Sequence, residues 1–132
     1  MAKASGERYT VAVDFDGVIH AYESPWVAPH VIPDMPVRGA IDWLHDTIQK
    51  FDVVIFTTRG KTWRGRWAVR RRLRRFSGFR WFDGAGSRGT ENVVVTAVKP
   101  AALVYVDDRA YRFDGTNFPS ASDVHRARPW NK

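Results

Sequence analysis

Residues 10–20 read TVAVDFDGVIH, and the fold of the chain can be worked out from this stretch. Tyr9 to Asp14 is a nearly continuous apolar run, which is typical of a strand that is buried on both faces of a sheet. Two aspartates separated by one phenylalanine, Asp14 and Asp16, close this run, and Gly17 follows them. The pair therefore stands at the carboxyl end of a predicted buried strand, which is where ligands of parallel sheets bind.

Helix and strand patterns alternate along the rest of the chain. Apolar residues at helical spacing predict one helix over residues 37–50 and another over 62–76. Trp63 and Trp67 are expected on the apolar side of the second helix, which Gly78 ends. Further strands are predicted over residues 53–56, 92–96 and 103–106. This alternation indicates an α/β fold, a parallel sheet flanked by helices on both faces.

The chain of 132 residues is expected to form a single domain over residues 1–132. Residues 20–36 contain four prolines and are predicted to form a flap-like loop. Residues 123–132 are polar and are expected to form a loose tail. No cysteine is present, which excludes disulfides and thiolate chemistry. No apolar run is long enough to cross a membrane, so a soluble, cytoplasmic protein is expected.

Polar side chains follow each predicted strand. Asp14 and Asp16 follow the first strand and Thr57 and Thr58 the second. Lys99 follows the third strand, and the pair Asp107 and Asp108 follows the fourth. Ligands of parallel sheets bind beyond the carboxyl ends of the strands, so these groups should converge on one edge. Four carboxylates there require a counter-cation, and Mg²⁺ suits carboxylate ligands with retained waters.

These four motifs, in this order, resemble those of the haloacid dehalogenase-like superfamily of phosphotransferases. The resemblance covers about residues 9–112 and implies a Rossmann-like core. It assigns Asp14-Phe15-Asp16-Gly17 to the first motif, Thr57 (or its neighbour Thr58) to the second, Lys99 to the third and Asp107-Asp108 to the fourth. Dehalogenase members lack the second aspartate, so Asp16 favours phosphate chemistry.

The resemblance implies a hydrolase that works through an aspartyl-phosphate. Asp14 would attack phosphorus, and Asp16 would protonate the leaving oxygen and later deprotonate water. Thr57 and Lys99 would hold the phosphoryl oxygens. Mg²⁺ would be bound by the Asp14 side chain, the Asp16 backbone carbonyl, Asp107 and Asp108. Thr58, Arg59 and Arg109 are weaker candidates for contacts with the substrate.

The intervals between the motifs are too short for a large cap domain, which indicates a capless or minimally capped member. An open site favours large substrates, and nucleotide or nucleic-acid-end phosphates are the first expectation. The phosphatase domain of polynucleotide kinase is similar in closing an apolar strand on threonine. Small nucleotides and phosphoproteins stay open as substrates, and so does a non-catalytic nucleic-acid-binding module on an inactivated scaffold.

The net charge of +7 is local to residues 62–76, which hold seven arginines and no acid. Outside this segment 14 of the 21 basic residues remain, against 14 acidic residues. The segment is either a solvated helix with its tryptophans in the core or a site for a polyanion such as nucleic acid. The candidate polyanion patch comprises Arg70, Arg71, Arg74 and Arg75.

Other patterns were weighed and given less weight. Trp26 in the proline-rich loop is expected to cover the core, with stacking on a base as the alternative. GAGSRG at residues 84–89 matches a dinucleotide-binding pattern, but a strand pattern follows it instead of a helix. Asp14 and Asp16 do not begin an EF-hand loop, because the glycine is misplaced and no glutamate stands at the twelfth position. None of the four histidines has metal-ligand spacing, and no role is assigned to them.

Overall fold

The computed structural model describes residues 8–77 and 93–132. Its strands are β1 (Thr10–Val13), β2 (Asp52–Phe56), β3 (Val94–Thr96) and β4 (Val104–Val106). Its helices are α1 (Ala40–Lys50), α2 (Trp63–Ser77) and α3 (Ala121–Arg126), with a 3₁₀ helix at Thr58–Lys61. The predicted end of α2 at Gly78 and the segment 84–89 lie outside the described residues. None of the helices described is long and apolar enough to cross a membrane.

The four strands form one parallel sheet in the order β3-β2-β1-β4. Val13 of β1 pairs with Ile55 of β2 on one side and with Val106 of β4 on the other. Because all strands run the same way, their carboxyl ends share one edge. The predicted α/β class, a parallel sheet flanked by helices, is confirmed.

Both long helices pack on the same face of the sheet, whereas the sequence predicted helices on both faces. Alternate strand residues, among them Val11, Val13 and Ile55, form a single core with Leu44 of α1 and Leu73 of α2. The reason is the strand order. The crossings from β1 to β2 and from β2 to β3 step in the same direction, and right-handed crossings then place both helices on one side.

The other face of the sheet is crossed by the connection from β3 to β4, residues 97–103. The ammonium of Lys99 lies 5.0 Å from the ring centroid of Tyr105, the central residue of β4. The Tyr105 hydroxyl donates a hydrogen bond to the carbonyl of Pro100 on the same connection. Tyr105 is paired with Ala12, whose neighbours Val11 and Val13 face the helices, so the connection lies on the opposite face.

The rotation of α2 about its axis differs from the prediction. Trp63 and Trp67 are 70% and 53% exposed, so the expectation that they pack in the core is wrong. The inward side consists of Gly65, Ala68, Val69 and Leu73. The backbone of Arg59 explains this rotation, because a Cβ on Gly65 would lie 1.9 Å from its carbonyl oxygen. Only a glycine allows this close approach, which turns the tryptophans outward.

The C-terminal segment, for which the sequence predicted a loose tail, makes hydrogen bonds to the loop after β1. A capping box between Ser120 and Asp123 begins α3. Beyond α3, the indole N–H of Trp130 donates to the carbonyl of Gly17. The Asn131 side chain donates to two carbonyls of the loop after β1, each at 2.8 Å. The tail therefore ends on the loop that carries the first motif.

Candidate active site

Three carboxylates meet at the carboxyl edge of the sheet. Asp14 follows β1, and Asp107 and Asp108 follow β4. Pairing of the two strands continues past their ends, because the Asp14 N–H donates to the carbonyl of Val106 at 2.9 Å. One carboxylate oxygen of each residue lies within 4.8 Å of the other two. The structure thus brings together three of the four predicted metal ligands.

This clustering changes the acidity of Asp14. Burial, and after it the negative charge of Asp107, raises the pKa of Asp14 to about 8. The N–H of Phe15 donates to Asp14 Oδ1 at 2.8 Å and opposes the rise. Burial likewise raises the pKa of Asp108. The cluster therefore favours either a bound proton or a bound cation.

The surroundings of Asp108 fit a cation. Its Oδ1 is buried and has no hydrogen-bond partner. Its other oxygen occupies the space beside Gly17, where a Cβ would lie 2.1 Å from it. Gly17 has a φ of +86°, so glycine is required in the first motif by both conformation and space. An unpaired buried oxygen among three carboxylates matches the all-oxygen ligands of Mg²⁺.

Asp16 is not part of this cluster. Its carboxylate accepts hydrogen bonds from Arg59 Nε at 2.8 and 3.0 Å and from His20 Nδ1 at 2.8 Å. Burial raises the pKa of Asp16, but the hydrogen bonds from His20 and Arg59 outweigh burial and hold the pKa below its usual value. Asp16 is therefore an ionised, paired carboxylate, whereas the predicted acid needs a carboxyl that holds a proton.

Arg59, expected to contact the substrate, is only 1% exposed. Its Nη1 donates to three carbonyls of the proline-rich loop, those of Ala28, Pro29 and Val31, at 2.8 to 3.1 Å. Its guanidinium carbon lies 4.5 Å from the ring centroid of Trp26. The predicted contact of Arg59 with substrate is wrong for this structure, because these groups already occupy the side chain. Arg59 instead holds the loop against the site.

His20 completes this arrangement and was missed by the sequence analysis. It is 2% exposed, and its Nε2 accepts the N–H of Asp34 at 3.1 Å. The Asp34 carboxylate in turn accepts the backbone N–H groups of Glu23 and Ser24. His20 thus links Asp16 to the far end of the loop. The spacing of four residues between Asp16 and His20 was the available hint.

A cavity of about 360 Å³ opens beside the carboxylates. It is lined by acids (Asp14, Asp16, Asp107), hydroxyls (Thr57, Thr58), a cation (Arg109) and aromatic rings (Tyr22, Trp26, Phe56). Both threonines of the second motif therefore line it, with Thr57 buried and Thr58 exposed. The expectation that Trp26 covers the core is wrong, since it is 46% exposed and faces the cavity.

Lys99 lies elsewhere. It is exposed on the β3–β4 connection and lines a second groove of about 750 Å³. Asp14 and Asp107 line both cavities, so the two meet at the carboxylates. Arg109 is the cation that lines the smaller cavity. The backbone N–H of Arg109 donates to Asp107 Oδ1 at 2.8 Å. Of the three predicted cations, Lys99, Arg59 and Arg109, only Arg109 lines the cavity with the threonines.

The candidate polyanion patch is separated from this edge. α2 runs from the carboxyl end of β2 toward the amino end of β3. Arg70, Arg71, Arg74 and Arg75 lie in the second half of the helix. At 1.5 Å per residue, Arg74 is about 17 Å along the axis from Trp63. The patch therefore extends away from the carboxylates.

Comparisons with protein-family models, with curated proteins and with solved structures gave no match. The functional interpretation of this chain therefore depends on the geometry of its own residues. The resemblance of its four motifs to the haloacid dehalogenase-like superfamily stays a prediction.

The raised pKa of Asp14 predicts that the stability of the protein depends on pH. Asp14 has a pKa of about 8 in the folded protein against 3.8 for an ordinary aspartate, so the folded state keeps a proton that the unfolded chain releases. In EDTA, the free energy of unfolding should fall by about 3–4 kcal/mol as pH rises from 5 to 8. Asp14→Asn should remove most of this fall, and urea denaturation measures it. Equal profiles for both proteins would contradict the clustering.

Removing Arg59 should destabilise the protein strongly. Arg59→Met leaves the Asp16 carboxylate and three loop carbonyls without their partner, so we expect a loss of about 3–5 kcal/mol in urea denaturation. Arg64→Met, an exposed arginine five residues along the chain, should change stability by less than about 0.5 kcal/mol. A loss at Arg59 no larger than that at Arg64 would show that the loop is not held by this side chain.

Proposed function

We propose that the protein is a metal-dependent phosphomonoester hydrolase of the haloacid dehalogenase-like superfamily, acting through an aspartyl-phosphate on Asp14. One observation carries the proposal. Asp14 lies within 4.8 Å of Asp107 and Asp108 and lines one cavity with Thr57, Thr58 and Arg109. A nucleophile, two of the three clustered carboxylates and donors for an anion thus share one cavity.

Asp14 acts as the nucleophile when ionised. Burial and neighbouring acids oppose its ionisation in the metal-free protein. Asp14, Asp107, Asp108 and the Asp16 backbone carbonyl would hold Mg²⁺, which would supply the positive charge that keeps Asp14 and the phosphate from repelling each other. The Phe15 N–H fixes Asp14 Oδ1 and so orients the carboxylate toward the cavity.

Phosphoryl oxygens are bound by donors at the ends of β2 and β4. The Thr57 Oγ1 accepts the N–H of Arg59 at 3.3 Å, which leaves the hydroxyl proton to donate to the substrate. Thr58 lines the same cavity one residue further on, and Arg109 brings a guanidinium from the β4 side. Lys99 contributes positive charge from the adjoining groove.

Asp16 serves the two chemical steps unequally. As an ionised carboxylate it takes a proton from the attacking water in the second step. In the first step it must carry a proton for the leaving oxygen, and its bonds to Arg59 and His20 oppose that. The acid role therefore requires that the contact between Asp16 and Arg59 loosens when substrate binds.

The aromatic side of the cavity favours a nucleotide or a nucleic-acid end. Tyr22 and Trp26 bring rings to the cavity that holds the threonines, and a nucleobase can stack on such rings. A phosphoprotein substrate would use the phosphate donors and not require the rings. A non-catalytic nucleic-acid-binding module is the second candidate, and the observation that favours it is the pairing of Asp16 with Arg59.

Phosphate release tests the proposal. The substrates are an aryl phosphate, 3′- and 5′-mononucleotides, and oligonucleotides phosphorylated at either end, each with Mg²⁺ or EDTA. We expect Mg²⁺-dependent release that Asp14→Asn lowers by about 10³-fold or more. Asp46→Asn, the same change at an exposed position on α1, should leave the rate unchanged. No release from any substrate would favour the binding module.

A further inference from the structure

One side of α2 presents tryptophans and arginines to solvent. Trp63 and Trp67 are its most exposed large apolar residues, and Arg64, Arg71 and Arg74 are exposed with them. We call these five residues the tryptophan–arginine face. The opposite side of α2 packs into the core through Val69 and Leu73. The tryptophans are therefore not needed for the packing of the helix on the sheet.

The face is continuous along the helix. Trp63, Trp67 and Arg71 are spaced by four residues, so they lie above one another on successive turns. Trp63 and Trp67 are about 6 Å apart along the axis. The guanidinium carbon of Arg71 lies 5.1 Å from the Trp67 ring centroid, which places a cation beside an exposed aromatic surface. Rings and positive charges thus form one row.

The segment that contains α2 has basic residues and no acidic residue of its own. No aspartate or glutamate occurs between residues 58 and 77. Burial and the crowding of positive charges lower the pKa of two half-buried arginines. Burial lowers the pKa of Arg70 and Arg72, and the neighbouring Arg66 and Arg75 lower these values further. A helix with this many positive charges and no acid of its own attracts a polyanion.

We propose that the tryptophan–arginine face is a binding site for single-stranded nucleic acid. Stacking on Trp63 and Trp67 requires bases that are not enclosed in a duplex, and Arg71 and Arg74 contact the phosphates. An acidic peptide would engage the arginines and gain little from the exposed tryptophan rings. The combination of rings and charges in one row therefore favours a single strand.

The site has a defined direction relative to the carboxylates. Thr58, which lines the cavity, begins the 3₁₀ helix that ends at Lys61, and Trp63 begins α2 directly after it. Trp63 is thus the end of the face closest along the chain to the cavity, and Arg74 is the far end. The proposal does not depend on hydrolysis, because a strand without a terminal phosphate satisfies every contact.

Fluorescence anisotropy tests the site directly. The probe is a labelled single-stranded DNA of about 12 nucleotides without terminal phosphates, titrated in EDTA so that no turnover occurs. Two double variants test the rings and the charges separately. Trp63→Ala with Trp67→Ala removes the rings, and Arg71→Glu with Arg74→Glu reverses the charges. The control is Arg112→Glu with Arg126→Glu, which makes the same charge change at exposed residues beyond β4.

We expect the tryptophan variant to weaken binding about tenfold or more while keeping the salt dependence. The arginine variant should weaken binding and lower the slope of log K against log salt by about 0.7 for each lost phosphate contact. All variants should keep the wild-type circular dichroism spectrum and melting temperature, because the changed side chains are exposed.

Three results would each overturn the proposal. The first is a loss in the control variant as large as that in the two site variants. The second is equal binding of a duplex, a polyglutamate peptide or an anionic lipid vesicle. The third is no binding of the probe at low salt. Since no terminal phosphate is present, failure here is separate from failure of the hydrolase proposal.

Discussion

Pairing of β1 with β4 forces Asp14 and the Asp107–Asp108 pair together, and the rest of the site depends on this constraint. Val13 pairs with Val106, so the residue after each strand must lie at the same edge. Because the backbones of the three residues are held at one edge of the sheet, burial and neighbouring negative charges raise the pKa of Asp14 and of Asp108. The crowded carboxylates lower the free energy of unfolding, and a cation bound to them would raise it again.

The fourth carboxylate, that of Asp16, is paired with other side chains instead of joining the cluster. Asp16 is two residues from Asp14, yet its charge is balanced by the guanidinium of Arg59, and His20 Nδ1 donates a hydrogen bond to the same carboxylate. The same two side chains hold the proline-rich loop, through Arg59 to its middle and through His20 to Asp34. The loop is therefore fixed by groups that belong to the site. Any movement of Asp16 toward a substrate must change the position of the loop.

The sequence was sufficient to predict the residues that directly follow β1, β2 and β4, but not the position of Lys99, which lies on the connection after β3. Strand ends place Asp14, Thr57 and Asp107 at one edge whatever the side chains do elsewhere. The role of Arg59 could not be predicted, because its partner Asp16 is 43 residues away and the loop between them has no periodic pattern. The exposure of Trp63 and Trp67 depends on one close backbone approach at Gly65. The placement of both long helices on one face follows from a strand order that composition does not reveal.

The central claim is that Asp14 becomes phosphorylated, and one measurement tests it most directly. Wild-type protein is mixed with Mg²⁺ and an aryl phosphate that carries a radiolabelled phosphoryl group, quenched in acid during the first turnover and counted for protein-bound label. Borohydride reduction of a parallel sample converts an aspartyl-phosphate to homoserine with release of the phosphate, and peptide mass spectrometry of that sample locates the labelled residue. We predict label on Asp14 that forms before free phosphate and is absent in Asp14→Asn. Free phosphate formed with no labelled protein at any time, or label on another residue, would contradict the account.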